Sequence, residues 1–283
     1  MELVKIEKKD YGISLFLRNL TSENTRKAYA TDIEMFFSYL ASVGFSPNSP
    51  KELTLHHFIA FRDFLQNKDY TAGSINRKMS TLKSLMKWFY AEGHIDRNPT
   101  DVLKVRKASV AKPTQAFTDL EVKTIKGKVK TKQHEAILAL LFDLGLRVSE
   151  LLDITDCDIN ENRNHTVLRI VGKGGKVREV ALPSGLNSLM DEYKKTVSGH
   201  RLFNLTRFGV YRIIKRYAKE AGITKSVSPH SCRATNVSHL LERGVGIERV
   251  AELVGHSDIA TTAIYDKKRK GLDNCASYEV NYG

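Results

Sequence analysis

The sequence predicts a mainly α-helical protein of two domains, the second of which is α+β with a small antiparallel sheet. Three observations lead there. Apolar residues recur at the 3.6-residue period over most of the chain, the mark of amphipathic helices. Two short β-rich runs, 166–171 and 176–182, flank the glycine turn Gly172-Lys173-Gly174-Gly175, as in a hairpin. Between these regions, residues 104–115 are cationic, lack an apolar period and contain Pro113, so they read as a linker. A chain of 283 residues is long for one core and natural for two. The expected boundaries are a helical domain at 1–108, a linker at 109–115 and a second domain at 116–283 with a tail at 266–283.

In the first domain, 11–20 reads as a short amphipathic helix. Thr21-Ser22 offers the next N-cap, and Ala28, Tyr29, Ile33, Phe36, Phe37 and Leu40 trace an apolar face up to Gly44. Pro47 and Pro50 interrupt it. A third helix over 54–66 buries Leu55, Phe58, Ile59, Phe61 and Leu65. The fourth, from Thr71 to Gly93, carries Ile75, Met79, Leu82, Leu85, Met86, Trp88 and Phe89 on one face and Arg77, Lys78, Lys83 and Lys87 on the other. By composition alone that second face is simply solvated.

The second domain opens on Thr118-Asp119-Leu120-Glu121, a capping box. A strongly apolar helix follows over 133–144, ended by Gly145, and Arg147 starts the next helix. After the hairpin, helices return at 186–196, 206–221, 231–243 and 247–254. A Gly255-His256 turn, capped by Ser257 or Asp258, and a second short helix then carry Tyr265 to within 18 residues of the C-terminus. The tail has scattered apolar residues and no clear period.

Composition narrows the function. The formal charge of +13 is spread over both parts, 17 basic against 12 acidic residues in 1–108 and 28 against 20 in the remainder. A polyanionic partner gains affinity from each phosphate neutralised, so both parts are suited to hold DNA. Cys157, Cys232 and Cys275 lie far apart and are odd in number, which excludes a disulfide framework and gives no metal-ligand spacing. No metal or cofactor is implied. The longest apolar runs fall short of the roughly 20 residues of a membrane helix, and the start of the chain lacks the apolar region of a signal peptide. The expected location is the cytoplasm, with no membrane partner. A phosphate-binding P-loop is excluded, because the Gly-x4-Gly-Lys-Ser/Thr spacing is absent.

Six positions stand in a telling order: Arg147 in Gly145-Leu146-Arg147-Val148-Ser149-Glu150-Leu151-Leu152, Lys173 in its glycine turn, His230 and Arg233 in Pro229-His230-Ser231-Cys232-Arg233, then His256 and Tyr265 nine residues apart. This set resembles that of the tyrosine recombinases, the DNA integrases and resolvases similar to Xer proteins and phage integrases. Asn24-Thr25-Arg26-Lys27-Ala28-Tyr29, Asn76-Arg77 and Ile95-Asp96-Arg97-Asn98-Pro99 likewise resemble the family's core-binding domain. The resemblance implies a SAM-like four-helix DNA-binding domain followed by a catalytic domain.

It also implies roles. Arg147 and Arg233 stabilise the excess charge on the nonbridging oxygens of a five-coordinate phosphorus, a task suited to permanently charged guanidinium groups. Tyr265 is the nucleophile. A phenol with a pKa of about 10 needs a proton acceptor, and His230, one helical turn before Arg233, takes that part. His256 hydrogen-bonds the phosphate, Lys173 protonates the departing 5′ oxygen, and Glu150 orients neighbouring side chains. Lys176 and Arg178 flank Lys173 as DNA-backbone contacts, and Arg77, Lys78, Lys83 and Lys87 become DNA contacts of the first domain. Taken singly, each arginine reads as a surface ion pair, His230 as a helix cap, Glu150 as a surface carboxylate and the glycine turn as a turn only.

The implied reaction is site-specific recombination, covering integration, excision or resolution, through a 3′-phosphotyrosyl intermediate and a Holliday junction. It requires neither metal nor ATP. The implied partners are double-stranded DNA with specific recombination sites, a homo-tetramer in the synaptic complex, and accessory proteins. Many relatives have a histidine directly after the second arginine, where this chain has Ala234-Thr235; that variant is more similar to the enzymes of mobile elements than to chromosome-dimer resolvases. A Xer-type resolvase, a type IB topoisomerase relaxing supercoils as a monomer, and a non-catalytic helix-turn-helix regulator built on 247–265 are the alternatives.

Overall fold

The two longest helices among the described residues of the first hundred begin where a hydroxyl takes up an orphan backbone N–H. The computed structural model describes residues 10–104 and 114–266, with the side chain of Lys173 outside the described residues. Most of the cationic linker and the tail beyond Asp266 also lie outside them. The chain divides into two units, Met1–Lys112 and Pro113–Gly283.

In the first unit α1 spans Ile13–Asn19 and α2 spans Glu23–Ser42, where Ser22 Oγ accepts from Thr25 N. Helix α3 covers Leu55–Asn67, and α4 covers Ala72–Ala91 with Thr71 Oγ1 accepting from Ser74 N. Such caps each contribute about 1 kcal/mol. The apolar stripes meet in one core built on Ile33, Phe36, Leu40, Phe58, Phe61, Met79, Leu82 and Phe89. The Phe36 ring stacks on Phe58 at 5.1 Å and meets the Phe61 ring edge-on at 5.2 Å, the arrangements that aromatic quadrupoles favour.

The opposite face of α4 departs from the sequence expectation. Asp32 on α2 is fully buried, and its carboxylate accepts from Arg77 Nη2 at 2.9 Å, Lys78 Nζ at 3.0 Å and Thr81 Oγ1 at 2.9 Å. Lys78 is therefore buried, at 4% exposure, rather than presented to DNA. A buried charge survives only when paired and hydrogen-bonded, and Asp32 supplies that pairing. Lys83 donates to Leu103 O at 3.1 Å and is half-buried. Arg77 keeps half of its side chain exposed, and Lys87 is exposed.

The second unit starts with α5, Asp119–Gly127, whose capping box is formed: Thr118 N donates to Glu121 Oε2 at 2.7 Å and Glu121 N to Thr118 Oγ1 at 3.2 Å. Helix α6, Lys132–Asp143, is apolar all round from Ala136 to Phe142, and every one of those residues is buried. A helix without a polar face belongs at the centre of its domain, and α6 packs against α5, against α7 (Val148–Asp153), and against three later helices, α8 (Ser184–Lys194), α9 (Arg207–Glu220) and α10 (Pro229–Glu242).

The sheet has three strands rather than the two read from the sequence: β1 Ile159–Asn162, β2 His165–Val171 and β3 Val177–Ala181, antiparallel in that order. In the hairpin, Val171 pairs with Val177, Gly172 N donates to Lys176 O at 2.7 Å, and the backbone of Lys173–Gly175 forms the tip. Helix α11, Ile247–Val254, and α12, Ile259–Ala263, close the described residues. Tyr265 stands in the turn just after α12 rather than within it.

Candidate active site

Three guanidinium groups converge on the C-terminal end of α11. The last carbonyls of a helix have no partner within it and carry the negative end of its dipole. Arg178 Nε donates to Leu253 O at 3.0 Å, Arg233 Nη2 to Val254 O at 2.6 Å, and Arg147 Nη2 to Gly255 O at 2.8 Å. Three successive carbonyls thus hold three arginines brought from β3, α10 and the start of α7. The turn permits this because Gly255 adopts φ +66° and ends the helix, with His256 N returning to Ala251 O at 2.9 Å.

Glu150 knits two of the arginines together. Its Oε1 accepts from Arg147 Nη1 at 2.7 Å and Arg178 Nη1 at 3.0 Å; its Oε2 accepts from Arg147 N at 2.9 Å and Arg178 Nη2 at 2.9 Å. Burial alone would raise the carboxyl pKa, but the hydrogen bonds of Arg178 and of the Arg147 backbone outweigh it and hold the group below the usual range. Glu150 is therefore an ionised residue of the interior, with a side chain 2% exposed, and not a surface carboxylate. Three guanidinium charges against one carboxylate leave the cluster two formal positive charges, an arrangement that favours an anion.

Gly145 sets the other wall. Its φ is +61°, and a Cβ there would fall 2.9 Å from Asn236 Oδ1 and 3.0 Å from Val254 Cγ1. Its carbonyl accepts from Arg233 Nη1 at 2.6 Å. Asn236 in turn donates to Phe142 O at 3.0 Å and Asp143 O at 2.9 Å, closing the end of α6. Arg233 is 3% exposed, and burial followed by the charge of Arg147 pushes its pKa down to about 10. It still carries its proton at neutral pH.

His230 lies in the first turn of α10 with Arg233 one turn on. Desolvation, then Arg233 and Arg147, lower its pKa, which keeps a neutral ring able to accept a proton. His256 Nδ1 lies 2.8 Å from Thr262 Oγ1, and burial followed by Arg233 and Arg147 pushes its pKa down to about 4. Tyr265 is half-buried and packs on the cluster of Val237, Leu241, Val250 and Val254. Its other flank borders a groove of about 770 Å³ shared with Phe117, Thr235 and His239; none of the arginines or His256 lines that groove.

The sequence reading places Arg178 on the DNA backbone, and the structure corrects it: all three guanidinium nitrogens bond within the protein, and the side chain is 13% exposed. Lys176 is exposed. Thr262 and Asn236, absent from the sequence reading, support His256 and the segment that ends in Gly145; both are buried polar residues. Elsewhere, a backbone bridge between Thr155 and Arg201 brings Asp156, Cys157 and His200 together, with donor atoms within 4.8 Å. Sequence spacing gave no sign of this exposed trio, whose carboxylate already holds His200 Nδ1 at 2.7 Å.

Comparison with known proteins shows the family. Residues 116–271 match the phage integrase family, and residues 9–93 match the phage integrase N-terminal SAM-like domain. Tyrosine recombinase XerC of Thermodesulfovibrio yellowstonii is 32% identical over 86% of this chain and 85% of its own length. Tyrosine recombinase XerD of Listeria monocytogenes is 28% identical over 90% and 92%. In fold, the chain is similar to XerH site-specific recombinase bound to a palindromic difH substrate, with a TM-score of 0.73, 20% identity and coverage of 90% and 80%. It is equally similar to lambda integrase residues 75–356 bound as a dimer to a COC′ core site, at 0.73, 20%, 92% and 93%. The fold is that of the DNA-recombining integrases. The chain belongs to the phage integrase family and is a site-specific tyrosine recombinase.

Proposed function

We propose that the chain cuts one DNA strand at a time with Tyr265, stores the bond as a 3′-phosphotyrosyl ester and rejoins it to a partner strand through a Holliday junction. The observation that carries this reading is the convergence of Arg147, Arg233 and His256 on one helix end, with Tyr265 leaving the next short helix. Arg147 and Arg233 draw charge from the nonbridging oxygens. His230 accepts the phenol proton. With the Thr262 hydroxyl donating to Nδ1, neutral His256 carries its proton on Nε2 and donates to the phosphate. Lys173, at the hairpin tip, protonates the 5′ oxygen as it leaves. Each transesterification exchanges one phosphodiester for another of similar energy, so no energy source is required.

The finer picture follows the same reading: double-stranded DNA with specific sites, held by a homo-tetramer in the synaptic complex, in the cytoplasm, for an enzyme encoded by a mobile element, with accessory proteins as further partners. Support for an assembly comes from neighbours of similar fold, among them a lambda integrase tetramer bound to a Holliday junction. Among the described residues no helix is long and apolar enough to cross a membrane.

A nicked suicide duplex, bearing a site obtained by binding selection from random DNA, traps the covalent intermediate. Wild-type protein is expected to form the adduct at Tyr265. Tyr265→Phe should bind the same DNA with unchanged affinity and form none; an adduct that persists in Tyr265→Phe would remove the nucleophile assignment.

A further inference from the structure

We propose that Arg178 is a positioning residue for strand cleavage, locking the Lys173 hairpin, Glu150 and the last turn of α11 into one unit that aims Arg147 and His256 at the phosphate. The proposal rests on the reading of the site given above.

Four contacts carry it. Arg178 meets Glu150 through two parallel bonds, one to each oxygen, while Arg147 uses the same two oxygens through its guanidinium and its backbone N–H. The carboxylate is therefore a hinge pin between the two arginines. Arg178 Nε holds Leu253 O, one residue before the carbonyl that Arg233 grips. The guanidinium also lies against Gly255: a Cβ there would fall 2.8 Å from Nη1 and 3.1 Å from Cζ, so Arg178 as well as the backbone angle demands glycine beside His256. Finally, Gly172 at the base of the hairpin faces the same ion pair, its Cβ position lying 3.6 Å from Glu150 Oε1 and 3.7 Å from Arg178 Nη1. Strand β3 thus joins the loop of Lys173 to the arginines through one side chain.

The chemistry of the side chain fits the task. A guanidinium offers a planar fork of five N–H groups, and here the fork spans a carboxylate while its Nε–H reaches a carbonyl. A lysine could supply the charge but not the three directions. Arg147, 32% exposed, remains open to a DNA phosphate, whereas Arg178 at 13% is turned inward.

The test uses the full chain and the suicide duplex. Equilibrium affinity, its salt dependence, the adduct rate constant at saturating protein and the melting temperature are measured for wild type, Arg178→Met, Arg178→Lys, Glu150→Gln and the double variant Arg178→Met/Glu150→Gln. Misplacing a catalytic group by about 1 Å costs on the order of 100-fold, so Arg178→Met should lose about that much in rate constant while keeping its affinity within about threefold. Arg178→Lys should fall between Arg178→Met and wild type. The double variant should be no slower than the slower single variant by more than about threefold, because both changes release the same pin. A merely structural role would lower melting temperature and adduct amplitude while leaving the rate constant of the folded fraction alone.

Wild-type rate constants in Arg178→Met would overturn the proposal, as would multiplicative losses in the double variant. A loss confined to affinity, with the salt slope reduced by about one, would return Arg178 to the DNA backbone. Should Arg178→Met fail to melt cooperatively, Arg178→Lys with and without Glu150→Gln carries the same comparison. Absence of any Tyr265-dependent adduct from wild-type protein would count against the site reading itself, not against Arg178.

Discussion

His256 gives the most quantitative handle on the site. Its ring is held to a pKa of about 4 by burial, then by Arg233 and Arg147, with His230 and Arg178 adding to them. From an ordinary value of about 6.5 the drop is roughly 2.5 units, and at about 1.4 kcal/mol per unit the surroundings disfavour the charged ring by roughly 3–4 kcal/mol at most. The folded value lies below the unfolded one, so the unfolded chain binds this proton first as pH falls. The contribution of His256 to stability is therefore intact above about pH 6.5 and is lost progressively towards pH 4. The ring resonances of isotopically labelled histidine report the titration directly by NMR, with His256 assigned from the spectrum of His256→Gln. The expected midpoint is below 5 in the free protein. Arg147→Met should raise it, and so should DNA, because a phosphate offsets the surrounding guanidinium charge. A midpoint of 6 or higher in the free protein would refute the picture of an excess of positive charge around this ring.

Three further outcomes are expected. Lys173→Ala should slow adduct formation on ordinary DNA by about 10²- to 10⁴-fold and recover most of the loss when sulfur replaces the 5′ bridging oxygen, since a thiolate leaves without a proton; equal defects on both substrates would mean that the lysine only positions DNA. Gly145→Ala should cost about 2–5 kcal/mol, from the left-handed backbone and from contacts of 2.9 and 3.0 Å with Asn236 and Val254, read by urea unfolding together with loss of adduct. Asp32→Ala leaves the buried Lys78 ammonium without its carboxylate and should destabilise the first unit by about 3–5 kcal/mol, followed through Trp88, the single tryptophan, which packs on that core. Asp32→Leu combined with Lys78→Met should restore most of the loss.

The helices were legible because their apolar stripes are long and their caps are hydroxyls at the expected places, Ser22, Thr71 and Thr118. Strand β1 was not, because Ile159-Asn160-Glu161-Asn162 is an exposed polar edge strand without alternation. Its signal was the turn that follows: Arg163 and Asn164 both have positive φ, the backbone of a tight hairpin turn in which asparagine is favoured. The face of α4 misled for a different reason. Lysines at helical spacing read as solvated, and only the tertiary meeting of α2 with α4 places Asp32 beneath Lys78. The same holds for Arg178, whose carboxylate lies 28 residues away in the chain, and for Glu150, which nothing local marks as interior. Order along the chain could name the candidates for the site, but not which of them would face one another.

That backbone carbonyls, and not side chains, hold the three arginines has a bearing on how such an enzyme can change. Val254 contributes its oxygen to the cluster and its side chain to a different neighbourhood, the apolar cluster under Tyr265. Any apolar residue that keeps α11 wound and fills that space presents the same oxygen at the same point. Substitution that conserves size under the nucleophile therefore leaves the anion cradle above it in place, since a main-chain oxygen cannot be mutated away, whereas a larger side chain would press on Gly145. Gly255 is the constrained position: its left-handed backbone and the Arg178 guanidinium packed against it both disfavour a side chain.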